Sequence, residues 1–194
     1  MVVRRVRCVP PAYEDANRDN SEFCCNVPQT RTTRRILNIP KTYVEVIPIG
    51  TSLFPTLYQF ENGLRIAIDK LLSTLYGSDW WETKLQFDLP TIYQYAADVK
   101  QKHNRMPWIG DSSRVAIRPI HNVTLGQLEA IVEKYRSECF PELFHSDRFF
   151  FGHMDAIKLV RNLYGHMFPC LTKSDARTAK REIATLCEEL KTKV

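Results

Sequence analysis

PTLYQFENGLRIAIDKLLSTLYG, residues 55–77, decides the fold class. Leu57, Phe60, Leu64, Ile68, Leu71, Leu72 and Leu75 recur at steps of three and four, the period that gathers side chains on one face of an α-helix. Pro55 suits a first turn, where its missing N–H breaks no helical bond, and Gly77 suits a stop. The stretch predicts an amphipathic helix that needs partners to cover its apolar side.

Those partners are predicted downstream. A second helical region begins near Ser78, passes Trp80 and Trp81, restarts at Pro90 and reaches about Lys102. His103 to Asn122 reads as an irregular connection. Thr124 followed by Gln127 fits a capping box, after which Leu125, Leu128, Ile131, Val132 and Tyr135 form an apolar stripe that stops before Pro141. Another helix is expected from Ser146 through Met154, Ile157, Val160 and Tyr164 to about Phe168. A last one from Ser174 places Ala176, Ala179, Ile183, Leu186 and Leu190 on one face. About five helices with no alternating strands predict a mainly α helical bundle over residues 51–194.

Residues 1–50 read differently. Pro10, Pro11, Pro28, Pro40 and Pro48 interrupt them, and the runs Arg35–Ile39 and Thr42–Ile49 look like short strands. A small irregular or β appendage is expected there. Its first 40 residues hold seven arginines against four carboxylates, a surface suited either to phosphates or simply to solvent.

The 194 residues, 44% hydrophobic and 25% charged, have room for one core of ordinary globular composition. No run approaches the ~18 apolar residues of a membrane helix, and no apolar stretch follows the arginines of Met1 to Arg7, so a cytoplasmic protein without a membrane partner is expected. Cys8, Cys24, Cys25, Cys139, Cys170 and Cys187 form no CxxC pair and have no histidine at zinc-finger spacing. They read as free thiols, and neither a metal site nor a cofactor is expected.

The phosphate-loop, dinucleotide, serine-hydrolase, HExxH and EF-hand signatures are all missing from the sequence. What remains is a set of arginines and histidines. Arg161-Asn162-Leu163-Tyr164-Gly165-His166 stands just before the final predicted helix. Spacing alone does not single it out, since Arg148 with His153 and Arg114 with His121 also fit. The adjacent Asn162 and the helix order favour Arg161 and His166.

At these residues the chain resembles the HEPN superfamily (higher eukaryotes and prokaryotes nucleotide-binding domain), in its toxin and defence ribonuclease type. That family carries an arginine, usually followed by asparagine, and a histidine after a gap of four to six residues. Glu61-Asn62-Gly63-Leu64-Arg65 and Tyr76-Gly77-Ser78-Asp79-Trp80-Trp81 resemble the opening helix of one HEPN subgroup. The resemblance covers roughly residues 51 to 192. It implies a homodimeric, metal-independent endoribonuclease with a composite cleft, leaving 2′,3′-cyclic phosphate and 5′-hydroxyl ends. His166 would move protons, Arg161 would clamp the phosphate and Asn162 would orient it. The alternative is a non-catalytic HEPN-like module that binds RNA, a nucleotide or a partner protein. HEPN toxins often carry a tyrosine two residues beyond the histidine, where nucleotide modification inactivates them. Here Phe168 stands at that position, which puts such inactivation by an antitoxin in doubt and leaves the kind of regulatory partner open.

Geometry adds one expectation. Five residues at ~100° each turn Arg161 about 140° from His166, whereas Asn162 and His166 share a face. A regular helix in one chain therefore does not converge all three, and the resemblance implies that a second copy completes the site. Among the secondary candidates, Glu61 and Arg65 read as an i,i+4 salt bridge and Tyr164 as a packing residue; Trp80 and Trp81 read as core and interface anchors, with stacking of one of them on a base as the alternative.

Overall fold

The computed structural model describes residues 41–104, 118–166 and 168–193. Among them lie seven α-helices and no strand. Helix α1 spans Lys41–Tyr76, and a π-turn at Trp81–Leu85 runs into the short α2, Gln86–Asp88. Then come α3 (Pro90–Asn104), a 3-10 turn at Pro119–Asn122, α4 (Leu125–Lys134), α5 (Arg136–Glu142), α6 (Asp147–Gly165) and α7 (Lys173–Lys193). The mainly α reading stands. The arginine-rich segment before residue 41, with the expected strand Arg35–Ile39, lies outside the described residues.

One expectation is corrected. Thr42–Ile49 is not a strand but the first part of α1, which holds Pro48 and Pro55 inside it. Both prolines sit on the exposed side, so the carbonyls they leave without a helical partner remain open to water. The core supplies the rest. Gly50 and Leu53 are buried, Val46 and Ile49 pack against the core, and α1 lies along α7. Tertiary burial thus overrides both the branched residues and the prolines.

Gly50 shows how tight that crossing is. A Cβ built there would lie 2.5 Å from Cε2 of Tyr164 on α6. Alanine is the better helix former by about 1 kcal/mol, yet Gly50→Ala is expected to cost about 1–3 kcal/mol through overpacking. Urea unfolding checks this, and the double variant with Tyr164→Ala should lose much less than the two single losses combined.

Gly77 ends α1 with φ 94, and its N–H bonds Ser73 O at 3.0 Å. Only glycine adopts that left-handed turn at little cost. Trp80 and Trp81 then drop into the core, rings edge-on at 5.4 Å, with Trp80 Nε1–H donating to Asp69 at 2.9 Å. Both are buried, as expected, and neither presents a face to a base. The Thr124/Gln127 capping box forms in both directions, at 3.3 and 2.8 Å. The stripe after it breaks at Tyr135 (φ −99, ψ 41), and a second short helix, α5, continues through Pro141 instead of stopping before it. Pro141 carries no N–H, so α5 forgoes one helical bond there. α6 is capped by Ser146 and stops at Gly165, earlier than expected. Ala176, Ala179, Ile183, Leu186 and Leu190 of α7 are all buried against the bundle.

Tyr76 and Glu138 tie α1 to α5 through a short hydrogen bond from the phenol to the carboxylate. The Ser137 hydroxyl and then Tyr76 hold the Glu138 carboxyl below its ordinary 4.5, while the bond pushes Tyr76 up to about 12. A carboxyl depressed in the folded state adds stability above its unfolded pKa and loses it as pH falls through the folded one. Tyr76→Phe should therefore flatten the acid limb of a melting-temperature profile below about pH 4.5. An unchanged acid limb would refute the link.

Candidate active site at the end of α6

α6 carries its polar residues toward its C-terminal end, after Phe150, Met154, Ile157 and Val160 have buried its other side. Arg161 and Asn162 line a pocket of about 250 Å³ between α6 and the start of α4, together with Lys158, Thr124, Leu125 and Gly126. His166 is the first residue beyond the helix. Its N–H bonds Asn162 O at 3.0 Å, its ring is exposed, and that ring lies 6.0 Å from Phe168. His166 does not line the pocket. One protomer thus brings Arg161 and Asn162 together and leaves His166 apart from both; Asn162 and His166 do not share the pocket as their spacing suggests, because the helix ends at Gly165.

Arg161 also has a partner 100 residues away. Its Nε lies 3.4 Å from Glu61 Oε1. Glu61 Oε2 accepts from Arg65 Nη2 at 3.3 Å, confirming the expected i,i+4 bridge. Arg65 is 8% exposed. It also donates to Val123 O at 2.9 Å and to Asn62 Oδ1 at 3.4 Å, and its Nε has no hydrogen-bond partner among the described residues. Two guanidiniums therefore share one carboxylate. The local pair is legible in residue spacing but the third member is not, because the bond to Arg161 depends on how α6 crosses α1.

Lys158 was not foreseen as a pocket residue, although it lies three and four residues before Arg161 and Asn162 on one helical face. Its ammonium reaches both oxygens of Glu129, at 2.8 and 2.7 Å, and Asp155 at 3.1 Å. Burial lowers its pKa, but the Glu129 and Asp155 contacts outweigh that and leave it raised. The contribution of Thr124 to Gly126 was likewise missed, though the capping box already marked a helix N-terminus there.

The other candidates are engaged elsewhere. His153 Nδ1 contacts Glu182, and its ring stands edge-on to Phe149 at 4.4 Å. Arg181 first, and then His153, keep the Glu182 carboxyl below the ordinary range against the opposing effect of burial. Arg148 is exposed, and its backbone N–H donates to Asp147 Oδ1 at 2.6 Å. Tyr164 packs on Gly50 and Phe54, as expected of a structural residue. Arg114 lies outside the described residues. His121 has an exposed edge, but packing around it, followed by Arg65 and Arg118, holds its imidazole below its ordinary value despite Asp69. Arg118 Nε lies 2.7 Å from Asp69 Oδ2 but off the N–H axis, so that contact is ionic rather than a directed hydrogen bond.

Among the described residues, no group of three or more His, Cys, Asp or Glu side chains is placed to hold a metal ion, and no helix is long and apolar enough to cross a membrane. No family model, curated protein or solved structure matches the chain.

Proposed function

We propose that this chain is a homodimeric, metal-independent endoribonuclease of HEPN type, acting on single-stranded or loop RNA in a toxin or anti-phage role. The observation that carries the reading is Arg161. Its guanidinium stands at an open pocket beside Asn162 with one weak partner among the described residues, and an exposed imidazole follows one turn later. In the reaction the RNA 2′-oxygen bonds to phosphorus as the bond from phosphorus to the 5′-oxygen breaks. One proton leaves the 2′-hydroxyl and one reaches the 5′-oxygen, and the His166 residues of the two copies carry these transfers. Arg161 holds the phosphate oxygens as negative charge grows. Held in a duplex, the 2′-oxygen is kept away from in-line attack, hence the preference for unpaired RNA.

Pairing of two copies is supported by α1. Tyr43, Ile47, Phe54 and Tyr58 are exposed and fall within about 60° of arc at 100° per residue. This face adjoins the end of α6, because the Phe54 ring lies 6.3 Å from Tyr164. A copy seated there would lie beside the helix end that His166 follows.

The deciding experiment incubates RNA with the protein in EDTA and reads the chemistry of the product ends. Cyclic phosphate and 5′-hydroxyl ends support the reading; intact RNA, or equal cleavage by His166→Ala, overturns it. A second reading, a non-catalytic module that binds RNA, a nucleotide or a protein, draws on the position of His166 outside the pocket. It predicts RNA retention without cleavage.

A further inference from the structure

We propose that single-stranded RNA lies along the exposed side of α7, its phosphates on Lys173, Arg177 and Lys180 and one base stacked on the ring of Phe168. The placement rests on the reading of the chain as RNA-directed, but not on cleavage.

At 100° per residue, Lys180, Lys173, Arg177 and Arg181 fall within about 100° of arc on α7, away from the side that buries Ala179, Ile183 and Leu186. Residues 173–182 carry four positive and two negative charges. The two carboxylates, Asp175 and Glu182, stand about 100° or more from every one of those cations. Asp175 accepts from Thr172, whereas Glu182 meets His153 on α6 and takes the Arg181 guanidinium at 2.7 Å. Arg181 is therefore set aside. Lys173, Arg177 and Lys180 have no carboxylate partner among the described residues, and Arg177 Nε reaches the Lys173 carbonyl at 3.4 Å. Spaced four and three residues apart, they rise about 6 and 4.5 Å along the axis. Such a row of unpaired cations attracts a chain of phosphates, which gains affinity by releasing its counterions.

A second feature separates this side from a merely solvated one. Phe168, five residues before Lys173, is 50% exposed. Its N–H bonds Leu163 O at 2.9 Å, and Leu171 further along is buried, so the connection is tied down while half of Phe168 stays open to solvent. Its ring lies 6.0 Å from that of His166. Cations that follow the backbone and a ring on which a base of any sequence can stack are the two parts a single-strand site needs. A duplex, whose bases are already stacked on one another, offers no free face to the ring. A base on Phe168 would bring its own stretch of backbone to the His166 imidazole, which ties the path to the proposed nuclease site.

Fluorescence anisotropy of the full chain with a short labelled 2′-O-methyl oligouridylate, whose blocked 2′-oxygen cannot attack, tests the path across a chloride series. In single strands each phosphate contact contributes about 0.7 to the slope of log affinity against log salt, so Arg177→Gln/Lys180→Gln should lower that slope by about 1.4. Lys100→Gln/Lys102→Gln removes the same charge from the exposed side of α3 and should leave the slope as it is. Phe168→Ala and Phe168→Leu should each weaken binding about tenfold at an unchanged slope and melting temperature. Phe168→Tyr keeps the ring face and should bind as the wild type does. Equal slopes in the two double variants, or wild-type affinity in Phe168→Leu, overturns the proposal. Loss of binding to phosphatidylserine vesicles in Arg177→Gln/Lys180→Gln, with oligonucleotide binding unmoved, would overturn it too and assign the row to a lipid surface. Intact RNA in EDTA with these binding shifts present sinks the nuclease reading alone, and cleavage with the shifts absent sinks this one alone.

Discussion

Alanine at Glu61 is expected to lower the unfolding free energy by about 3 kcal/mol, because it strands the Arg65 guanidinium in the core. The side chains of Glu61 and Arg65 are only 16% and 10% exposed. Removing one member of a buried pair costs about 3–5 kcal/mol, most of it the penalty on the charge left behind. Val123 O and Asn62 Oδ1 still accept from Arg65, which places the loss at the low end. Glu61→Gln keeps an accepting oxygen and should lose about 1–2 kcal/mol. Arg161→Ala should stay within about 1 kcal/mol, since that side chain is 35% exposed and its bond to Glu61 is long. Urea unfolding of the three variants checks the order. Equal losses from Glu61→Ala and Arg161→Ala would contradict Arg65 as the charge that Glu61 neutralises.

His166→Ala is expected to reduce RNA cleavage by about 10²- to 10⁴-fold, the usual contribution of a positioned proton donor or acceptor. Because the ring is exposed and outside the core, the same change should alter stability by no more than about 0.5 kcal/mol. His153→Ala should behave in the opposite way. It breaks the contact with Glu182, whose side chain is 14% exposed, so the melting temperature falls while cleavage per folded molecule is retained. Arg161→Lys keeps a charge but loses the planar fork, and should fall between wild type and His166→Ala. Initial rates in EDTA, set beside melting temperatures, read all three. A collapse of cleavage in His153→Ala with wild-type rates in His166→Ala would move the site to the other histidine.

The helical periods were legible because burial of one face writes itself directly into residue spacing. Leu57 to Leu72, the stripe after Thr124 and the alanine-rich face of the last helix are all of this kind, whereas Leu75, expected on the same face, is 49% exposed; the caps at Gly77, Thr124 and Ser146 are legible because their signal is local. Thr42–Ile49 misled because branched residues and Pro48 favour extended chain locally, whereas packing of Val46 and Ile49 on the core, followed by Gly50 against Tyr164 more than 100 residues away, goes with the helical form. The same limit applies to the site.

The sequence by itself determined a mainly α chain, the order of its principal helices from Pro55 onward, the Glu61–Arg65 bridge and the placing of Arg161, Asn162 and His166 at one helix end. Only the tertiary structure decided that residues 41–49 belong to α1, that Glu61 is shared with Arg161, and that the first turn of α4 faces Lys158, Arg161 and Asn162 across a pocket. The physical reason is range. Periodicity and capping act over three or four residues, whereas a shared carboxylate or a pocket exists only once packing fixes the angle at which distant helices cross.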